Sequence, residues 1–185
     1  MCAASNAVTP KGRATRESLL DAGEVIAADG AQGLTVAAIT ARAGLAKGTF
    51  YVHFDDRASF IQALQARFQS HVETAILTAV DSQPPGRAFL AAVLDGYLNA
   101  CLTHRAVKAV LVDTRAGNEA AAAHLLLLER FERLVGPSFT VLGMGPIDVQ
   151  TRILISVASE AAHLALRAGT DIDGVRDAAK AWLPQ

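Results

Sequence analysis

Residues 33–60, GLTVAAITARAGLAKGTFYVHFDDRASF, predict two short helices separated by a glycine. Gly44 marks the turn, because glycine reaches positive φ without strain and therefore ends helices. Before it, Thr35 can cap a helix whose apolar residues recur with helical spacing. After it, Phe50 and Phe54 lie four residues apart and would share one face of a second helix. The segment therefore predicts a helix-turn-helix.

The predicted helix pair carries positive side chains and no negative ones. Residues 30–54 include Arg42, Lys47 and His53 but no Asp or Glu. Gly48 lies inside the second helix, where glycine costs about 1 kcal/mol relative to alanine. Close approach of the helix backbone to a partner would offset that cost. This combination is typical of a helix-turn-helix that faces DNA phosphates.

The segment resembles the DNA-binding part of the TetR family of one-component bacterial regulators. The positions that match the family pattern are Ile39-Thr40, Ala43-Gly44-Leu45-Ala46, Gly48-Thr49-Phe50-Tyr51-Val52-His53-Phe54, Arg57 and Phe60. Two positions differ from the pattern. Ala46 replaces the usual hydroxyl cap, which should weaken the start of the second helix by about 1 kcal/mol. Arg57 replaces the usual lysine, keeps its charge and adds a planar guanidinium suited to phosphate.

The resemblance implies an all-α fold of about nine helices with an N-terminal DNA-binding unit and a C-terminal helical bundle. The expected domains are a flexible basic arm over residues 1–14, a helix-turn-helix domain over 15–56, and a ligand-binding and dimerisation domain over 57–185. Lys47 is the expected reader of a base edge, while the other cations and hydroxyls would reach phosphates. The positions expected to meet DNA are Lys11, Arg13, Thr35, Lys47, Gly48, Thr49, Tyr51, His53 and Arg57.

Composition agrees with this expectation. Apolar residues make up 51% of the chain, and period-two runs of β-branched residues are absent, so helices are favoured over strands. The net charge of −1 excludes a protein that is basic as a whole, so any DNA-binding surface must be local. Cys2 and Cys101 imply no disulfide framework. A secretory signal and a membrane-spanning apolar stretch are not evident, so we expect a cytoplasmic protein with no membrane partner.

Further helices are predicted outside this segment. A long one starts near Arg57, capped by Asp55 or Asp56, and the sequence QPPG at residues 83–86 then breaks the chain. The helix that follows is apolar on more than one face and should be central. The predicted spans are approximately residues 15–29, 57–80, 87–104, 106–115, 148–168 and 171–183, with a further helix that follows Gly117-Asn118 and ends near Gly136-Pro137.

The C-terminal bundle is expected to bind a largely apolar inducer and to form a homodimer. Pockets between bundle helices are frequent sites for small apolar molecules. The candidate ligand contacts are Phe68, Val93, Tyr97, Cys101, Asp113, Phe131, Glu160 and His163. The dimer surface is predicted on the last two helices, at Ala158, Ala161, Leu164, Ala165, Val175 and Trp182.

One polar line runs along the predicted helix over residues 148–168, which is otherwise apolar. It consists of Arg152, Ser156, Glu160, His163 and Arg167. It would face solvent, a partner subunit or a ligand cavity, and the spacing does not choose among the three. Glu160 and His163 have the Glu-x-x-His spacing of di-iron bundles, but a second copy is missing, so we expect no metal and no cofactor.

The sequence favours a ligand-responsive regulator, most simply a repressor released from a palindromic operator when a small molecule binds. It does not favour an enzyme, because it has no Ser-His-Asp order, zinc-ligand spacing or phosphate loop. Two alternatives stay open. One is a DNA-binding regulator with a filled core that responds to a protein partner, and the other is a helical enzyme that retained the motif. Activation in place of repression also stays open.

Overall fold

The computed structural model describes residues 9–113, 120–167 and 172–184. These residues form nine α-helices and no β-strand, which confirms the all-α prediction. None of the described helices combines the length and apolarity needed to cross a membrane. The helices are α1 (Pro10–Ile26), α2 (Val36–Ala43), α3 (Lys47–His53), α4 (Arg57–Ala79), α5 (Arg87–Thr103), α6 (Arg105–Asp113), α7 (Ala120–Val141), α8 (Ile147–Arg167) and α9 (Ile172–Ala181).

The chain divides into two compact units. The N-terminal unit comprises Met1–Phe68 and Ala106–Thr114, and the C-terminal unit comprises Gln69–Arg105 and Arg115–Gln185. The boundary therefore falls inside α4 and not at residue 57, and α6 belongs to the N-terminal unit. The reason is packing, because Phe60 and Leu64 of α4 are fully buried and Phe60 packs against the aromatic rings of the N-terminal unit.

The first helix begins earlier than the sequence analysis expected. The Thr9 hydroxyl accepts a hydrogen bond from the Gly12 N–H at 3.1 Å, and Pro10 occupies the first helical position. Threonine at the cap followed by proline is a strong helix start, since proline has no N–H to leave unpaired. Residues 10–14 are therefore helical, which corrects the expected flexible arm over residues 1–14. Residues 1–8 of that arm lie outside the described part of the chain.

The caps predicted for α2 and α4 are present. The Thr35 hydroxyl accepts from the Ala38 N–H at 3.1 Å, and Gly44 ends α2 in the left-handed conformation with φ of 68°. At α4, the Asp56 carboxylate accepts from the Ser59 N–H at 2.7 Å. The Ser59 hydroxyl in turn accepts from the Asp56 N–H at 3.2 Å, which completes a reciprocal capping pair. Ala46 provides no side-chain cap for α3, as its sequence predicts.

Helix α5 forms the centre of the C-terminal unit. It packs on α7, α8 and α9, and residues on several of its faces are buried, which confirms its predicted central position. Gly96 lets it approach α4 closely, because a Cβ at this position would lie 2.8 Å from the Ile76 Cα. A residue far along the chain anchors the start of α5, since the Gly86 N–H donates to the Ser138 hydroxyl at 3.0 Å.

Helix α7 does not end at Gly136 and Pro137 as the sequence predicted. It continues to Val141 with Pro137 inside it. Val135 and Phe139, on either side of the proline, are both fully buried. Burial of these two side chains outweighs the lost backbone hydrogen bond, which explains why the proline does not end the helix.

Candidate nucleic-acid interface

A cluster of three phenylalanines fixes the inner face of α3. The Phe50 ring centroid lies 5.3 Å from that of Phe54 and 5.6 Å from that of Phe60, and Phe54 meets Phe60 edge to face at 5.0 Å. All three side chains are buried. Gly23 of α1 makes room for the cluster, because a Cβ there would lie 2.5 Å from Phe60 Cζ. The cluster therefore fixes which face of α3 points outward.

The outward face of α3 is a mixed surface of cation, glycine, aromatic and aliphatic groups. Lys47 and Gly48 are exposed, and Thr49 is half-buried. Tyr51 and Val52 are 52% and 62% exposed, which is unusual for large apolar side chains. This face of α3 lacks acidic residues, so it can approach a polyanion without charge repulsion.

Val52 was not predicted as a site residue. An isolated valine in a short helix is more often part of a core than of a surface. Its register with Gly48, four residues earlier, was the available signal, because residues at i and i+4 share one helix face. Both positions are exposed, and a Cβ at Gly48 would meet no atom within 4 Å.

The start of α1 adds positive charge to this unit. Lys11 and Arg13 are exposed in its first turns, which contain no acidic residue. His53, at the end of α3, is half-buried beside this helix start, because its Cε1 lies 3.9 Å from the place of a Cβ on Gly12. The Arg16 guanidinium lies over the Phe54 ring at 5.0 Å, so this cation braces the aromatic cluster.

The acidic residues of α1 are gathered around one arginine of α4. Arg67 lies 2.5 Å from the Asp21 carboxylate, 3.2 Å from that of Glu24 and 3.7 Å from that of Glu17. Burial opposes the charge on Arg67, but the hydrogen bond to Asp21 and the charge of Glu24 outweigh burial and raise its pKa. The arrangement keeps α1 and the first half of α4 together and leaves the start of α1 basic.

Arg57 holds the loop before α2, a role that the sequence did not suggest. Its Nε donates to the Leu34 carbonyl at 2.7 Å, and one terminal nitrogen donates to the Ala31 carbonyl at 2.5 Å. Two of its hydrogen-bonding nitrogens are therefore used to hold the loop that leads into α2. Arg57 is therefore a positioning residue for the loop before Thr35, and because its side chain is exposed, its expected contact with phosphate stays a prediction.

The predicted ligand contacts are divided between the two units and differ in burial. Val93 and Cys101 are buried in the C-terminal unit, Tyr97, Phe131 and His163 are half-buried there, and Phe68 is buried in the N-terminal unit. Glu160 is exposed, which corrects its assignment to an internal cavity. The side chain of Asp113 lies outside the described residues.

A cleft of about 540 Å³ between α5 and α9 contains none of the predicted ligand contacts. Asp95 at its centre accepts from Arg176 at 3.2 Å and from Lys180 at 2.7 Å. These ion pairs join α5 to α9 across the cleft. Its lining residues are Asp95, Asn99, Asp173, Arg176, Asp177 and Lys180.

The predicted dimer surface is only partly accessible. Ala158, Ala161 and Ala165 are buried within the chain, because α8 uses that face to pack on α5, α7 and α9. This corrects their assignment to the interface. Leu164 is 48% exposed, and Val175 and Trp182 are half-buried.

The exposed side of α8 combines apolar and polar residues. Val149 and Ile153 are exposed in addition to Leu164. Among the residues of the predicted polar line, Arg152, Ser156 and Glu160 are exposed, His163 is half-buried, and the Arg167 side chain lies outside the described residues. Within the described chain the line therefore runs along the surface, where solvent or another subunit can meet it.

These features define an all-α protein with a helix-turn-helix unit and a separate helical unit. The sequence model for bacterial regulatory proteins of the tetR family matches residues 19–64, a span that includes α2, α3 and parts of α1 and α4. Over this span the chain is similar to the DNA-binding segment of that family. No curated protein matches its sequence.

Solved structures share the whole fold at low sequence identity. A TetR-like transcriptional regulator from Rhodococcus sp. RHA1 is 20% identical, with a TM-score of 0.67 over 90% of this chain and 92% of the other. The multidrug binding protein EbrR, complexed with imidazole, is 17% identical, with a TM-score of 0.71 over 96% and 92%. The TetR-like regulator LfrR from Mycobacterium smegmatis, in complex with proflavine, is 21% identical, with a TM-score of 0.62 over 89% and 92%.

Proposed function

We propose that this protein is a cytoplasmic transcriptional regulator that reads double-stranded DNA with the outward face of α3. The observation that carries the proposal is the exposure of Lys47, Gly48, Tyr51 and Val52 on one acid-free surface above a rigid aromatic cluster. Rigid support matters, because base contacts require side chains held in a fixed position within the major groove.

Gly48 supports the proposal independently. No atom lies within 4 Å of a Cβ built at this position, and the residue has no positive φ. Neither internal packing nor backbone conformation therefore requires glycine here, although glycine weakens a helix by about 1 kcal/mol. An external surface that approaches the α3 backbone closely would account for the missing side chain, and a DNA groove is such a surface.

The DNA contacts divide by chemistry. Lys47 is placed to donate to a base edge, and Val52 and Tyr51 are suited to the thymine methyl group. The remaining positions would hold phosphates and set the register of the protein on the duplex. They are Lys11, Arg13, Thr35, Thr49 and His53.

We also propose that the regulator is a homodimer on a palindromic operator. Two copies of α3 would then enter successive major grooves about 34–36 Å apart. Val149, Ile153 and Leu164 provide exposed apolar area on one helix, which a second copy of α8 would cover. Val175 and Trp182 of α9 would extend that surface.

A small-molecule inducer is the proposed signal, with repression as the proposed default. The structural relatives EbrR and LfrR were solved with imidazole and proflavine, which supports a small, planar aromatic ligand. Val93, Tyr97, Cys101 and Phe131 would line its site in the C-terminal unit. To move the population from 1% to 99% released, the ligand must prefer the released state by about 5.5 kcal/mol.

Selection of bound duplexes from a random pool tests the DNA-binding proposal. Wild-type protein should enrich a palindrome, and Lys47→Ala should weaken binding to it by about 1–3 kcal/mol while relaxing one base position. Arg133→Ala is the matched control, because Arg133 is an exposed cation of the C-terminal unit. Failure of wild-type protein to prefer any duplex would contradict the proposal, and equal losses on operator and random DNA would remove Lys47 as a base reader.

A release screen tests the inducer. Compounds of the proposed class should displace the protein from the selected operator, and Tyr97→Ala should reduce that response without changing operator affinity. A regulator controlled by a protein partner would show operator binding but no release by any compound.

A further inference from the structure

Two histidines of the C-terminal unit, 33 residues apart in the chain, form a pair. The imidazoles of His71 on α4 and His104 at the end of α5 have centroids 4.2 Å apart and planes inclined by 33°. Both side chains are half-buried. His71 Nδ1 is fully shielded from solvent and has no hydrogen-bond partner within the described residues.

An unpartnered, buried ring nitrogen is uncommon, because burial of a polar atom without a hydrogen bond costs about 1–3 kcal/mol. Such an atom in a native structure points to a bound group that satisfies it. One ring nitrogen of His71 and one of the neighbouring His104 lie within 4.8 Å of each other. Two imidazoles bound to one tetrahedral metal ion have their nitrogens about 3.3 Å apart, since metal–nitrogen bonds are about 2.0–2.1 Å. Metal binding would therefore require the two nitrogens to move closer together.

We propose that His71 and His104 bind a divalent transition-metal ion of the zinc, nickel, cobalt and copper class. Imidazole nitrogen suits these metals and does not suit magnesium or calcium, which prefer oxygen ligands. Water would complete the coordination. The metal would either bind His71 Nδ1 directly or fix the ring tautomer in which Nδ1 has a partner. It would also hold α4 to the end of α5.

The position of the pair along the chain gives it a regulatory meaning. His71 lies three residues after Phe68, where the chain passes from the N-terminal to the C-terminal unit, and His104 lies two residues before Ala106, where it passes back. A metal ion bound to both histidines would therefore join the two segments of the C-terminal unit that lead along the chain to the N-terminal unit. This regulatory consequence rests on the proposed DNA-binding function, whereas the metal site itself does not.

Titration of the purified full chain with ZnCl₂ tests the site, and a Cys2→Ser background removes the thiol near the N-terminus. Wild-type protein in this background should bind one zinc ion, and His71→Asn and His104→Asn should each weaken binding by at least about tenfold. His163→Asn is the matched control, because it removes a half-buried histidine of the same unit that is not part of the pair. Zinc binding that is unchanged in both pair variants would overturn the site.

A measurement without variants guards against loss of folding. Cu²⁺ bound to the wild-type protein should give an electron paramagnetic resonance spectrum with coupling to two equivalent imidazole nitrogens. Coupling to a single nitrogen or to none would overturn the assignment, whatever the variants do.

Operator binding separates the regulatory part of the proposal from the rest. Zinc should change the Kd of wild-type protein for the selected operator by at least about fivefold and leave that of His71→Asn unchanged. If zinc binds the pair without changing the Kd, the regulatory role is wrong and the site stands. If the protein binds no duplex at all, the proposed function fails, while the zinc titration still decides the site.

Discussion

Each unit is stabilised by its own polar contacts, and the sequence separation of the bonded residues differs between the two units. In the N-terminal unit, α1, α2 and α4 each start with a cap formed by a residue three positions away, from Thr9, Thr35 and Asp56. In the C-terminal unit, α5 has no side-chain cap, and its Gly86 N–H bonds to Ser138, 52 residues later. Asp95 holds Arg176 across 81 residues. Local caps can be recognised in a sequence because the partner is nearby, whereas the C-terminal contacts exist only after folding.

The two proposed functional surfaces differ in the same way. The outward face of α3 follows from its own seven residues and from the phenylalanines beneath it, and it is complete within one chain. The exposed face of α8, with Ile153 and Leu164, is defined by what α5, α7 and α9 leave uncovered. We therefore expect changes at the α8 face to act on assembly and changes at α3 to act on DNA contact alone.

The largest effect is expected from a double change on α8. Ile153→Glu with Leu164→Glu places two charges on the exposed apolar face and should convert the dimer to monomers. Operator affinity should fall by roughly a hundredfold or more, since the second half-site would no longer bind as part of one molecule. Analytical ultracentrifugation measures the first result, and fluorescence anisotropy with labelled operator measures the second.

The control for this variant is Leu77→Glu, which charges an exposed leucine of α4 in the same unit. It should leave the dimer intact. A double variant that still sediments as a dimer would show that the α8 face is not the interface.

Asp95→Ala should have the next largest effect, on stability. It leaves Arg176 and Lys180 without their shared carboxylate, and hydrogen bonds to charged groups contribute about 1.5–3 kcal/mol when shielded. Because the three side chains are 20–31% exposed, we expect a loss of about 1–2 kcal/mol in the free energy of unfolding. Urea denaturation followed by circular dichroism measures it, and an Asp95→Ala protein as stable as wild type would show that this long-range contact is dispensable.

Arg57→Ala tests whether the arginine holds the loop before α2. Loss of its bonds to the Leu34 and Ala31 carbonyls should reduce stability by about 1 kcal/mol and weaken operator binding through the loop before α2. The dependence of log Kd on log salt should stay at the wild-type slope, since the loop clamp releases no counterion on binding. A slope lowered by about one would instead restore Arg57 as a phosphate contact.

Gly48→Ala should give the smallest effect on stability and the opposite sign. Alanine favours a helix over glycine by about 0.5–1 kcal/mol, and the added methyl meets no atom within 4 Å. The variant should therefore unfold at higher urea concentration while binding its operator more weakly. Gly23→Ala is the matched control, because a methyl there would press on Phe60 and should destabilise the protein. Unchanged operator affinity in Gly48→Ala would show that DNA does not approach the α3 backbone.

The sequence predicted the N-terminal unit better than the C-terminal one. Thr35, Gly44 and Asp56 act as expected because caps and turns depend on neighbours within about four residues. Helix α1 starts before the predicted residue, because Thr9 caps it and Pro10 occupies its first position. Helix α7 continues past Pro137, because core contacts with residues distant in the chain outweigh the local break.

By itself, the sequence determined the helical class, the helix-turn-helix and the acid-free character of its second helix, since these depend on residue type and on short spacing. Only the tertiary structure decided that Arg57 holds a loop, that Ala158, Ala161 and Ala165 face inward, and that His71 meets His104. These outcomes depend on which helix faces share one core. Side chains far apart in the chain become neighbours only when that core forms.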